Sequence, residues 1–274
     1  MINHYTSVAA LAHILESGRV RFSRLDRFDD VQEAQVVAGI NFGAQLFASC
    51  WVRKGEEDIP QWAMYGDRMA GVRITLPDDP FRWRVLHGVY PIPGCAAKWK
   101  FDQVLSPFSV DDLRGNGYIV IPEMLIDGAF LRDVIYVDDV ADAYKQHVEV
   151  SDEVTIIRPA ASELARYKSR TWDFQRECRF VISTKRGPTC RADNEDYGSQ
   201  YMQLVANPDW NRLGALAEHI DVELDPDVLS RVTVTLGPLS TPADRIIVEA
   251  LLSRFAGNAT LRVSDLSNLI RPKP

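Results

Sequence analysis

The chain has 274 residues, 46% of them hydrophobic and 25% charged, with a formal net charge of −7. That size can bury one large core or two modest ones, and one domain with insertions is the expected organisation. The acidic balance gives no electrostatic footprint for nonspecific nucleic-acid binding. Cys50, Cys95, Cys178 and Cys190 show no C-x-x-C spacing, and Cys50 and Cys178 sit in apolar strand-like segments. They read as reduced core thiols of a cytoplasmic protein. The opening M-I-N-H-Y-T has neither a basic nor an apolar signal region, and no apolar run approaches the ~20 residues that span a bilayer, so secretion and membrane contact are not expected.

In chain order, Ile2 to Thr6 is a predicted strand and Ser7 a helix N-cap. Val8, Leu11, Ala12 and Leu15 then recur at helical spacing until Gly18. Val20 to Ser23 resumes as a strand. His4 and Tyr5 alternate, so only one is expected to face a given cleft. Asp26, Asp29, Asp30 and Glu33 lack the order of a calcium loop; a helix N-terminus stabilising Asp29 and Asp30 is the preferred reading, and a hard-cation site the lesser alternative. Gln45 to Trp51 reads as a buried strand. Pro60 then opens a short helix that places Trp62 and Tyr65 on one face, as core or as a wall for a planar cationic ring. Gly71 to Leu76 is a further strand.

The stretch from Pro77 to Asp133 is rich in Pro and Gly without sustained periodicity and reads as a loop-rich insertion. Val134 to Val137 is a predicted strand, Asp142 to His147 a helix, and another helix should end near Tyr167. Lys168 and Arg170 would meet an anionic ligand or simply cap that helix. From Glu177, alternation puts Cys178, Phe180 and Ile182 on one face and Glu177, Arg179 and Ser183 on the other. That is a half-buried strand holding a carboxylate in a defined orientation, although spacing alone favours an ordinary Glu/Arg pair on a solvated face, since such surface pairs are common. Val232 to Pro238 is a strand with a turn. Thr241 and Pro242 start a helix with the stripe Ala243, Ile246, Ile247, Ala250 and Leu251, and Thr260 to Val263 is the last strand.

Phosphate-loop, nucleophile-elbow, zinc-protease and zinc-finger motifs are all missing, which argues against those chemistries. What is present is a series: H-Y-T-S at His4 to Ser7, V-R-F-S at Val20 to Ser23, R-F-D-D at Arg27 to Asp30, W-A-M-Y-G-D at Trp62 to Asp67 with Gly71, W-D-F-Q-R-E-C-R at Trp172 to Arg179, and L-G-P at Leu236 to Pro238. It resembles the motif series of a bacterial family known as domain-of-unknown-function family 2971. Two departures stand out: Asp29-Asp30-Val31 replaces an Asn-Asp-Pro turn, and Gln175 stands where an acid often occurs, which leaves Glu177 as the only acid of its motif.

The opening strand, helix and strand with its starting His is also similar to ADP-ribosyltransferases of the DNA-modifying toxin type. That resemblance implies an α+β fold over residues 1–274, built on a mixed, mainly antiparallel split β-sheet with flanking helices and an insertion at about 77–133. It implies NAD as substrate and no metal. Glu177 would be catalytic, with Tyr65 or Trp62 stacking on the nicotinamide. His4, with Tyr5 and Thr6 beside it, would bind a ribose, and Arg21, Ser23 and Arg179 would complete the NAD site, one of Arg179, Arg21 and Arg73 taking the pyrophosphate. The expected function is transfer of ADP-ribose to a nucleic acid or protein, as a toxin or phage-defence effector, with an antitoxin or other partner protein. The alternatives are an NAD glycohydrolase and a non-catalytic nucleotide- or protein-binding module. A nucleic-acid acceptor would need a basic patch around Arg19, Arg21, Arg24 and Arg27.

Overall fold

Local signals at the chain's start are obeyed closely. The computed structural model describes residues 1–53, 55–122, 130–150, 155–158 and 160–271. Strand β1 spans Ile2–Thr6, and Ser7 caps α1 (Val8–Ser17) by accepting a hydrogen bond from the Ala10 N–H. Gly18, in the left-handed conformation with φ 64°, ends the helix, a geometry that costs glycine little because it has no Cβ. The chain then turns into β2 (Arg19–Arg24).

The molecule is mixed α+β, with several helices packed on one large and mostly antiparallel sheet. Its remaining strands are β3 (Leu46–Val52), β4 (Val72–Leu76), β5 (Tyr118–Ile121), β6 (Leu131–Asp133), β7 (Glu177–Arg186), β8 (His219–Glu223), β9 (Thr233–Leu236) and β10 (Thr260–Val263). The main path runs β6-β7-β3-β1-β4-β9-β10; β2 and β8 branch from β3, and β5 pairs with β7. Within this sheet, among the described residues, only β9 and β10 run parallel, joined by the helix α3 (Pro242–Phe255), as a parallel pair requires a crossover.

One feature of this sheet positions the site. Along one edge β3 pairs with β7 without interruption, from Val52 opposite Glu177 to Leu46 opposite Ser183. Along its other edge it meets β1 only at Val52 and β2 only at Ala48 and Phe47. Ser49, Cys50 and Trp51 therefore face a gap where β1 and β2 diverge, and the sheet is forked there.

The core joins Leu11 and Leu15 of α1 to Phe22, Trp51, Ile74, Phe180, Val234, Val248 and Leu252. Strand β7 departs from the half-buried expectation, because both of its faces are covered and only its last two residues are partly exposed. The face carrying Glu177 and Arg179 is roofed by two 3-10 turns, Val31–Glu33 and Ala161–Arg166. The latter stands where an α-helix ending near Tyr167 was expected.

In α3 the expected stripe is displaced. Val248 and Leu252 are buried, whereas Ile246 and Ile247 are 67% and 49% exposed. Residues 77–133 are also more regular than their composition suggests. Arg84–Pro91 and Lys98–Ser106 form a long hairpin, while residues 123–129 of that segment lie outside the described residues. Among the described residues, no helix is long and apolar enough to cross a membrane.

Candidate functional site

The diverging strands leave a cavity of about 250 Å³ in the fork. Strand β1 supplies Asn3, His4 and Tyr5, β2 supplies Arg21 and Ser23, and Ala48 to Val52 of β3 form its floor. Both His4 and Tyr5 reach it, although alternation places them on opposite sheet faces. A cavity lying between strands, rather than above one face, removes that restriction.

His4 packs on Trp51 with ring centroids 5.1 Å apart, and its Nδ1 lies 2.9 Å from the carbonyl oxygen of Cys50. A carbonyl only accepts, so Nδ1 carries the proton and Nε2 of the neutral ring remains an acceptor. Burial pushes the His4 pKa below the ordinary histidine value, which favours that neutral form. The same burial raises the Cys50 thiol to about 12, so it stays a thiol.

Glu177 begins β7 at the cavity's inner end. The chain reaches it through a 3-10 segment, Arg170–Gln175, and one residue, Arg176, held at φ 48°. Its backbone N–H donates to the Tyr136 hydroxyl at 2.9 Å. Its side chain joins a buried quartet of two acids and two bases. Arg179 donates to Glu177 Oε2 through Nη2 at 2.7 Å and Nε at 3.2 Å, grips Glu33 with Nη1 and Nη2, and gives a further bond to the carbonyl of Ala165 at 3.0 Å. Lys168 Nζ lies 3.3 Å from Glu33 and 3.4 Å from Glu177 Oε2.

Opposite charges that leave water together avoid much of the penalty that each would meet alone. Burial pushes the Glu177 carboxyl up, but Arg179 and then Lys168 outweigh burial and hold it below its ordinary value. Glu177 is therefore an ionised carboxylate. Its Oε1 has one long contact, to Lys168 at 3.5 Å, and is the oxygen left for a ligand.

Tyr65 stands on the opposite wall, at the C-terminal end of α2 (Ile59–Met64). The turn behind it, Asp67 to Met69, has three consecutive residues at φ 47°, 53° and 74°. It closes against Gly71, whose N–H donates to the carbonyl of Gly66 at 2.8 Å, and against Gly237 of the L-G-P segment, whose N–H donates to the carbonyl of Gly71 at 2.8 Å. A Cβ on Gly71 would sit 2.2 Å from the Thr6 carbonyl oxygen, which is why only glycine fits there. Three stretches of the resembled series, far apart in sequence, thus meet behind one tyrosine.

Of the sequence-predicted residues, Glu177, Tyr65, His4, Tyr5, Arg21 and Ser23 line this cavity, and Thr6, Trp62 and Arg179 do not. Trp62 is wholly buried, edge-on to Tyr5 at 4.8 Å, with its indole N–H given to Glu57 at 2.8 Å. It offers no face for a ligand. Arg179 is consumed by the quartet, and Arg73 is buried with Nη1 on the carbonyl of Gly55 at 3.2 Å. Arg19, Arg21, Arg24 and Arg27 are each paired, with Asp112, Asp221, Asp26 and Glu218 respectively, so together they form no unopposed basic patch.

Glu33 and Gln175 are the site residues whose roles sequence reasoning did not assign. Glu33 sits in an acidic run indistinguishable from a solvated turn, and only the fold shows it to be buried. Among the described residues, no group of His, Cys, Asp and Glu could hold a metal ion. Comparison with protein-family models, with curated proteins and with solved structures finds no match for this chain.

Proposed function

We propose that this chain is an NAD-dependent ADP-ribosyltransferase with an ADP-ribosyltransferase-like fold, acting on a macromolecular acceptor. The observation that carries this reading is the convergence of His4, Tyr65 and Glu177, from three distant parts of the sequence, on one cavity in a forked sheet. At about 250 Å³ the cavity suits the nicotinamide-ribose end of NAD, since it falls short of the roughly 300–1,000 Å³ typical of sites that enclose a whole drug-sized ligand.

In that pose the Tyr65 ring stacks on the nicotinamide, and His4 Nε2 accepts from a ribose hydroxyl. Glu177 Oε1 accepts from another hydroxyl and stabilises the oxocarbenium-like charge that develops as the bond to nicotinamide breaks. Losing one such preorganised partner costs roughly 10²–10³ in rate. A nucleic-acid acceptor would have to displace the carboxylates that neutralise the rim arginines, so a protein acceptor meets less electrostatic opposition.

A second reading has its own observation. The 2.7 Å bond from Arg179 to Glu177 ties up one carboxylate oxygen, as a non-catalytic nucleotide-binding module would tolerate and a reacting carboxylate need not. Nicotinamide release from NAD, by the wild type and by Glu177→Gln shown to be folded by its thermal melt, separates the readings. Release that depends on the glutamate and on added protein or nucleic acid supports the transferase, and release with water alone supports the glycohydrolase. NAD binding without release supports the module. Full turnover by folded Glu177→Gln overturns the mechanism.

A further inference from the structure

The charges around the cavity do not cancel evenly. Of its lining cations, Lys168 faces Glu33 and Glu177, Arg21 is paired with Asp221 at 3.0 Å, and Arg27 with Glu218. Of its lining carboxylates, Glu177 is held by Arg179 and Lys168. Asp29 differs. It is exposed on the cavity wall, and among the described residues no cation forms an ion pair with it. Its Oδ2 accepts one hydrogen bond, from the Tyr65 hydroxyl at 3.2 Å.

That bond has a fixed direction. Lys168 can only donate, and it occupies Gln175 Oε1 at 2.5 Å. The amide nitrogen of Gln175 must then point at Tyr65, to whose hydroxyl it donates at 2.7 Å. Tyr65 accepts from Gln175 and gives its own proton to Asp29. One wall of the cavity is thus an aromatic ring locked beside a carboxylate that lacks a counter-ion. The complementary ligand group is a planar cation, attracted by the carboxylate and by the negative face of the ring.

We propose that Asp29 is a specificity-determining residue, selecting the pyridinium ring of oxidised NAD over the uncharged dihydropyridine ring of NADH. The identity of the ligand rests on the NAD reading above; the preference for a planar cation rests on the Asp29 carboxylate and the Tyr65 ring beside it.

The test is equilibrium binding of two matched pairs, NAD against NADH and 1-methylnicotinamide against nicotinamide, to the wild type and to Asp29→Asn. Asparagine keeps an acceptor for Tyr65 and removes only the charge. The wild type should prefer the cation of each pair, and Asp29→Asn should cut that preference roughly three- to tenfold by weakening the cation alone. The wild-type preference should also shrink as salt is raised. Equal binding of the charged and uncharged partners by the wild type, an unchanged preference in Asp29→Asn, or no binding of either cation overturns the proposal. Asp29-dependent preference for 1-methylnicotinamide, with neither dinucleotide bound, keeps the charge selection and discards NAD.

Discussion

Glu33 and Arg179, 146 residues apart in sequence, close a two-pronged ion pair from which water is excluded. Removing one member strands the other's charge in the interior, which is a far larger penalty than losing a surface pair. Glu33→Ala should lower unfolding free energy by about 3–5 kcal/mol. The denaturant midpoint reads this directly, and a shift no larger than that of a surface variant such as Glu249→Ala would refute a buried role for Glu33.

Glu177 makes stability depend on acid. Its folded-state pKa is depressed, so the stabilisation is complete above its unfolded value of about 4.3 and is lost as pH falls through the lower folded value. Unfolding free energy of the wild type should fall over that acidic window, and the Glu177→Gln curve should be flatter there. Parallel curves would mean that the quartet does not hold the carboxylate ionised.

His4 acts in a different window. Burial depresses its folded-state pKa, so the unfolded chain takes up a proton more readily, and stability is lost as pH falls below about 6.5 toward the folded value. His4→Gln keeps a donor for the Cys50 carbonyl and removes the titration. Stability of this variant should be level across that range, where the wild type declines.

Gln175→Glu would keep an acceptor for Lys168 but lose the donor that now meets Tyr65. The Tyr65 hydroxyl should turn toward residue 175 and release Asp29. Tyrosine Cζ carbon shifts, with the Tyr65 signal assigned through Tyr65→Phe, report the change in the ligand-free protein. The extra buried carboxylate should also cost about 1–3 kcal/mol. An unmoved Tyr65 resonance would show that the relay is not directional.

Two positions near Tyr65 should respond to opposite changes. Arg68 is exposed at φ 53°, where glycine is the less strained residue, so Arg68→Gly should be neutral or stabilising by up to about 1 kcal/mol. Gly71→Ala drives a methyl group into the Thr6 carbonyl and should destabilise by more than about 2 kcal/mol. Thermal melts of the two variants should therefore move apart.

Local rules made much of the scaffold legible. The Ser7 and Thr241 caps, the Gly18 stop and the strands at 2–6, 46–52 and 72–76 follow from caps, glycine and short apolar runs. Tertiary context was not legible. Ile246 and Ile247 look like core by spacing, yet α3 turns Val248 and Leu252 inward, because packing against α1 and the sheet sets its rotation. The alternation of β7 revealed which residues share a face with Glu177 but not that two 3-10 turns would cover that face. For the same reason Arg179 read as a possible ligand contact, although Glu33, far away in sequence, had already claimed it.

The brace behind Tyr65 also bears on the order in which the chain is made. Met69 and Gly71 offer their carbonyls to Leu239 and Gly237, at 2.9 Å and 2.8 Å, so the turn that supports this tyrosine is finished by residues synthesised about 170 positions later. A nascent polypeptide emerging from the ribosome carries Tyr65 early, but the turn behind it lacks these two bonds until the segment around Gly237 has cleared the exit tunnel. A truncated product ending before that segment would lack both of these bonds, and the turn behind Tyr65 would be left without its brace.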